Sequence, residues 1–546
     1  MIKKPLSFIK KYFFEILLLL LGFSFSWWLM FSTFSYKAGN ILVAGKAWSD
    51  FGSHLPLIRS FSLGINFPPE YPLFAGEPIH YHFMFYAISG TLERFGLNIS
   101  YALNIPSTLG FFCLLVMLYV FAKALFHSRF VGILSAIFFL FNGTLSFLYF
   151  LKNHPINNTF LQSITTNSTF SSFHPYGPGL VSAFWNLNIY TNQRHLAGSF
   201  AFSLFILYWF LRPVLQKGSR ESVGLSVCLG IALGLSYYFH IAVFAMTAIT
   251  ILLLSILFRK IRGSGIIILL ITGLLYLPQN AYMNNTSQAF KTIISLGYLT
   301  PSPLTLSSFV NYWALNLGLH MILIPIGFVL ASYTNKKVFL AFFAFFVIGN
   351  VFQFSPEMAA NHKFFNYFML IGNMYSAYVI FLMLKKGFYV KLTAVILLFF
   401  LVFSGIVDFF PIHNDSKIEI RDYPINADMR WVKENTPSQS IFLNTQYFVP
   451  IESLAGRRIF LGWPYFSWSQ GYDTTGRSEM LAQLFQNSNR DTICAFLIKH
   501  NISYISVVEN PTDYPFDKKW FEDNFQLSYE NSDTKLVIYA TQNNCN

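Results

Sequence analysis

The sequence predicts a polytopic α-helical membrane protein of about 11 transmembrane helices with a small extracytoplasmic α/β domain at its C-terminus. Three observations carry this prediction. The 546 residues are 54% hydrophobic and only 11% charged, less than half the roughly 25% charge of soluble domains. Apolar runs rich in Phe, Leu and Ile recur at the length of about 20 residues that a bilayer span requires. From about residue 409 charged residues return, and no later run is long enough to cross.

The elements follow in order. The N-terminus, "MIKKPLSFIKKYFF", places a basic head before an apolar run. No small-residue cleavage site follows, so the run reads as an uncleaved first helix. Spans are expected at 13–33, 103–124, 131–150, 199–212, 223–237, 240–258, 264–278, 313–333, 338–352, 368–384 and 392–408, with 223–258 a tight hairpin turning at "SYYFH". The short loops on the N-terminal side hold 17 Lys/Arg, and the longer opposite loops hold 8. The positive-inside rule therefore puts the N-terminus in the cytoplasm of a cell (plasma or inner) membrane. The odd span count puts the C-terminus outside. The formal charge of +13 is in this reading a topology signal and implies the lipid bilayer, not nucleic acid, as partner.

Residues 1–408 thus form a transmembrane domain whose long loops, 34–102, 151–198 and 279–312, face outside, where polar loops carry function. Residues 409–546 form the extracytoplasmic soluble domain. There "NADMRWVKENTP" and "RDTICAFLIKHN" read as helices, and "SIFLNTQ", "RRIFLGW", "ISYISVVEN" and "KLVIYAT" as strands. Cys494 and Cys545 lie in this domain, where an oxidising compartment can pair them. Cys113 and Cys228 lie in spans as apolar fillers.

The charged residues outside the spans are the candidates for chemistry. Asp50 and His54, in "WSDFGSHLPLIRSF", are four apart and share a helix face, and Leu57, Ile58 and Phe61 give that helix an apolar side suited to lying at the membrane interface. Asp50 is either the cap of a helix starting at Phe51 or a catalytic carboxylate. Arg59, round the wheel, is placed at lipid headgroups. In "FPPEYPLFAGEPIHYHF", His80 and His82 either hold a divalent metal with Glu70 or Glu77, or make interfacial hydrogen bonds; their spacing matches no specific metal motif and no cofactor is implied. Arg194 and His195, in "NLNIYTNQRHLAGSF", either snorkel or bind a headgroup-level phosphate. Asn361, His362 and Lys363, in "FSPEMAANHKFFNYF" with Glu357, pose the same choice. The stretch "LAGRRIFLGWPYFSWSQGYDTTGR", with Arg457, Arg458, Asp473 and Arg477, suits carbohydrate stacking or an ordinary domain core.

The order of these features resembles the GT-C superfamily of membrane glycosyltransferases, which use polyprenyl-phosphate-linked sugars. "AWSDFGSHLPLIRSF" occupies the position of the acid that opens their first outside loop, and "NQRHLAG" and "NHKFF" stand at outside span entrances. "MRWVKENTP", "LAGRRIFLGWP" and "SQGYD" resemble C-terminal domains of bacterial members. The resemblance implies an inverting transferase (hexosyl- or pentosyltransferase) of cell-envelope glycan biosynthesis, with a polyprenyl-phosphate-linked donor and a glycan, lipid or protein acceptor. Asp50 would be the general base, His54 would orient it or the acceptor, and Arg59, Glu77, His80, His82, Arg194, His195, Asn361, His362 and Lys363 would contact substrate. The second acid that many members carry at the first-loop site is missing at Ser49-Asp50-Phe51, which favours one carboxylate acting alone. The alternatives are a lipid-linked substrate transporter or flippase, and a glycan ligase or polymerase.

Overall fold

The computed structural model describes residues 3–216, 218, 220–283, 291–445, 448–486, 489–508, 516–541 and 545, with side chains from residue 13 onward. Lys217, part of the loop 279–312 and the ends of "SIFLNTQ" and "ISYISVVEN" lie outside the described residues. Among the described residues, seven helices are long and apolar enough to cross a membrane: Phe13–Thr33, Ile99–Phe126, Arg194–Leu215, Arg259–Met283, Tyr333–Val351, Met358–Leu384 and Phe388–His413. Leu306–Leu317 and His320–Leu330 make a further candidate span bent by 85°. Arg129–Leu140, Val223–Tyr238 and Ile241–Leu257 are shorter apolar helices. All fall where the sequence places spans.

Two of the expected spans are interrupted. The helix Arg129–Leu140 stops short of 150 because the Asn142 side chain accepts from the Thr144 N–H (3.2 Å) and hydroxyl (2.6 Å), a local competitor for helical hydrogen bonding. The other span bends at Gly318, whose φ is +53°. A Cβ there would lie 2.0 Å from the Gly143 carbonyl oxygen, so the two interruptions pack directly on one another. The Leu145 N–H also donates to the Leu315 carbonyl at 2.9 Å.

The spans share one apolar core, in which Phe200, Leu204, Phe342 and Tyr367 are fully buried. A separate core joins the first long loop to the C-terminal domain: Ile41, Phe51, Leu55 and Tyr71 pack with Ile459, Phe466 and Tyr472. Backbone pairing reinforces the joint. Strands Phe34–Lys37 and Asn40–Ala44 form an antiparallel sheet completed by Lys417–Arg421, with Ile41 opposite Ile420. The C-terminal domain has a five-stranded sheet in the order Arg458–Ile459, Ile441–Asn444, Ile502–Val508, Leu536–Ala540, Gln526–Asn531. The first three strands are parallel and the last two antiparallel. Helices Ala427–Asn435 and Arg490–Lys499 lie where the sequence predicts them.

This shared core corrects the expected setting of Asp50. Its helix runs from Trp48 to Ser62 and is buried from Phe51 to Ser60, because the C-terminal domain covers the side that was to face lipid headgroups. Gly52 permits the contact: a Cβ there would lie 2.9 Å from the Phe466 ring. The N-cap is Ala47, without a side-chain cap, so Asp50 sits inside the first turn and caps nothing.

Cys494 and Cys545 form a disulfide that ties the helix Arg490–Lys499 to the chain end. Cys113 and Cys228 are free and exposed. Closing a loop with a sequence separation of 51 removes unfolded-state entropy worth about 4 kcal/mol. Cys494→Ser is therefore expected to lower the denaturant midpoint of the C-terminal domain, read from Trp fluorescence, with little effect on the helical CD signal of the spans.

Candidate functional site

A cavity of about 610 Å3 lies between the first-loop helix, the segment after Phe173, the turn before Lys363 and the C-terminal domain. Of the residues singled out from sequence, Asp50, His54, His195, Glu357, His362 and Lys363 line it. They come from three segments that the chain separates by well over a hundred residues each, and the fold brings them to one chamber.

Asp50 projects half-buried into this chamber, and among the described residues nothing hydrogen-bonds its carboxylate. The surrounding protein pushes its pKa up to about 6. Burial is the main cause; the Lys363 ammonium opposes it and the Glu357 carboxylate adds to it. His54, one turn on, is buried and stacks on Tyr86 with ring centroids 4.6 Å apart. Among the described residues its Nδ1 has no hydrogen-bond partner. Burial, then the Arg194 charge, lower its pKa to about 3, so the ring is neutral at physiological pH. Lys363, from the first turn of the helix His362–Leu384, is buried and forms no hydrogen bond or ion pair among the described residues. Beside it His362 stacks on Phe184 at 4.5 Å and approaches Gln193 at 3.4 Å.

The structure adds a second carboxylate. Glu357 lines the same cavity, and its Oε2 accepts from the Tyr465 hydroxyl at 2.9 Å. Its Oε1 accepts from the Tyr176 hydroxyl. This second carboxylate comes from a loop distant in sequence, held by one tyrosine of the second long loop and one of the C-terminal domain. The only signal for it in the sequence is its place in "FSPEMAANHKFF". Lys46 also lines the cavity, paired with Asp415 at 2.8 Å.

The remaining candidates lie elsewhere. Arg59 is fully buried: its Nη2 donates to both Asp422 carboxylate oxygens at 2.8 Å, and Nη1 lies 3.3 Å from Glu93. It clasps the first loop to the C-terminal chain and meets no headgroup, because Asp422 is folded back over it. Arg194 points inward from its span entrance. It donates to the Thr191 carbonyl (2.7 Å), Asn104 Oδ1 (2.9 Å) and Thr33 Oγ1 (2.9 Å), which leaves it no role in the cavity. Asn361 donates to the Gly349 and Phe352 carbonyls and fixes the turn that aims its two neighbours. Glu77 faces Arg477 at 3.6 Å. His80 stacks on Tyr472 at 4.2 Å, and Glu70 pairs with Arg458. These partners separate His80 and His82 from Glu70 and Glu77, so that set does not assemble.

His82 stands directly behind the cavity wall, with its Nε2 2.7 Å from His195 Nε2. In the aromatic-rich C-terminal stretch, Tyr465, Phe466, Ser469 and Gln470 reach the cavity. Arg457 instead caps backbone carbonyls of Lys433 and Thr436, and Asp473 caps the helix Thr474–Phe485.

A second cavity, of about 390 Å3, runs between the apolar helices and is lined by Phe85, Phe202, Leu233, Phe239, Val243 and Phe244. His195 belongs to the walls of both cavities.

No protein-family model and no curated protein matches the sequence. Among solved structures, the chain is similar to the oligosaccharyltransferase of Archaeoglobus fulgidus in its apo form, with a TM-score of 0.51 and 13% identity over 98% of this chain and 75% of that one. It is also similar to apo ArnT from Cupriavidus metallidurans, with a TM-score of 0.50 and 10% identity over 96% of this chain and 98% of that one. At these identities the likeness is one of fold alone: the chain shares the overall fold of these two structures.

Proposed function

We propose that this protein is a membrane glycosyltransferase that moves a sugar from a polyprenyl-phosphate-linked donor to an acceptor hydroxyl, with inversion, on the extracytoplasmic side. The observation that carries the reading is the junction at His195, where a polar chamber holding an unpaired carboxylate and an unpaired ammonium meets an apolar groove. That pairing suits a ligand with a greasy tail and an anionic head.

In this reading the polyisoprenyl tail occupies the apolar groove, and its phosphate lies at the chamber mouth near Lys363. Asp50 accepts the acceptor's proton as the hydroxyl attacks the anomeric carbon, and the sugar–phosphate C–O bond breaks on the opposite face. Asp50 suits the base better than Glu357 does. Among the described residues nothing donates to its oxygens, whereas each oxygen of Glu357 already accepts from a tyrosine hydroxyl. A neutral His54 orients the acceptor. The Lys363 ammonium stabilises charge building on the departing phosphate, an interaction strengthened where water is excluded. Tyr465 and Trp468, partly exposed on the C-terminal domain, offer ring faces to a glycan acceptor.

The test is release of free polyprenyl phosphate from a radiolabelled polyprenyl-phosphate sugar by purified protein, with the product's anomeric configuration read by NMR. A retained anomeric configuration would sink the single-base mechanism. A transporter would instead move the intact donor between leaflets without cleaving it. Lys363→Met is expected to lower kcat about 100-fold while leaving donor binding within a few-fold, because its charge matters most as the phosphate departs. A change in KM alone would mean that Lys363 holds the ground state only.

A further inference from the structure

We propose that His82, His195 and His240 together bind one divalent transition-metal ion of the zinc class. This goes beyond the transfer reading and does not depend on it. One ligating nitrogen from each ring lies within 4.8 Å of the others, and all three side chains are buried. The rings come from three separate segments: the extended chain before the helix Met84–Arg94, the first turn of Arg194–Leu215, and the N-cap of Ile241–Leu257. The backbone fixes their meeting, since the Phe83 N–H donates to the Tyr238 carbonyl at 3.1 Å. The His82 and His240 rings stack at 4.3 Å.

Hydrogen bonding alone does not satisfy this group. The His82–His195 contact uses one Nε2 proton and one Nε2 lone pair. Among the described residues His240 Nε2 is then left buried without a hydrogen-bond partner, an unfavourable state for a buried polar atom. A metal ion would engage a lone pair on each ring, and at His240 ligation through Nε2 would replace the long 3.5 Å contact in which Nδ1 accepts from the Val243 N–H. His195 already has the support such a ligand needs, because its Nδ1 is 2.7 Å from the Tyr86 hydroxyl, a contact that fixes ring orientation and tautomer. Two nitrogens on a tetrahedral zinc stand about 3.4 Å apart, so the 2.7 Å His82–His195 pair opens by a few tenths of an ångström on each side. Three neutral imidazoles select zinc-class ions over magnesium or calcium, which demand oxygen ligands. The three protein ligands leave a fourth position for an oxygen donor.

The experiment uses full-length protein purified through a histidine-free tag in detergent, stripped with chelator and then titrated with Zn2+ or Co2+. The expected result is about one tightly bound equivalent by elemental analysis. It also includes the intense visible bands of tetrahedral Co2+. His240→Ala and His82→Ala should each lose the bound metal, while His80→Ala keeps it. Should either alanine variant fail to fold, the Co2+ spectrum of the unaltered chain decides alone. A stripped protein that takes up no ion, an octahedral Co2+ spectrum, or uptake unchanged in folded His240→Ala would each overturn the proposal.

Discussion

Asp50→Asn is expected to abolish most transfer, lowering kcat by about 10²–10⁴-fold, the usual contribution of a positioned general base. Stability should move the other way. The pKa of Asp50 is raised in the folded protein to about 6, so its ionised form is disfavoured by folding. A carboxyl shifted upward lowers stability above its folded pKa, and the loss is relieved as the pH falls. The amide removes that burden, and the variant should melt at or above the parent temperature at neutral pH, as expected of a site that trades stability for function. A helix cap would give the opposite sign, since losing one costs about 1 kcal/mol. In the parent, kcat/KM should fall about tenfold between pH 7 and pH 5 as the base is protonated. A well-folded Asn variant with normal turnover, or a flat profile over that interval, would remove Asp50 from the chemistry.

The same residue shows what a sequence makes legible. Hydrophobic runs locate the spans because a bilayer imposes a length on them, and that constraint is local. Strands such as Ile502–Val508 and Leu536–Ala540 are legible for a similar reason: β-branched and aromatic residues crowd into short stretches. The bend at Gly318 is not legible, because its close approach to Gly143 joins distant segments, and the break at Asn142 is not because an Asn two residues before a Thr is an ordinary pattern that does not by itself stop a helix. The cavity divides in the same manner. Asp50, His54, His195, His362 and Lys363 stood out as charged groups next to apolar runs. Glu357 as a second acid, Tyr176 and Tyr465 as its clamps, and His240 as a neighbour of His82 depend on tertiary packing alone. Conversely, Arg59 and Arg194 look like surface cations in one dimension. Only the folded chain supplies the Asp422, Glu93, Asn104 and Thr33 that absorb them.

Arg59 leads to the largest expected effect on stability. Asp422→Asn should destabilise the docking of the C-terminal segment on the first loop by about 3–5 kcal/mol, because it leaves a guanidinium with no solvent exposure short of its closest counter-charge. Glu93, at 3.3 Å, remains but is itself buried and raised in pKa by that burial, so it compensates only in part. The cost is one of stranding a charge, not of losing an intrinsically strong bond, and a double variant separates the two. Arg59→Met with Asp422→Leu removes both ions and fills the space with apolar atoms. It should recover much of the lost stability, although Glu93 then takes up a proton to remain buried. The measurement is thermal unfolding of purified protein followed by Trp fluorescence, with limited proteolysis across residues 414–426 as a local readout. Equal losses in the single and double variants would mean that the ion pair itself holds the joint. Because the helix carrying Arg59 also carries Asp50, loosening this clasp in Asp422→Asn should also lower kcat, with the spans still folded.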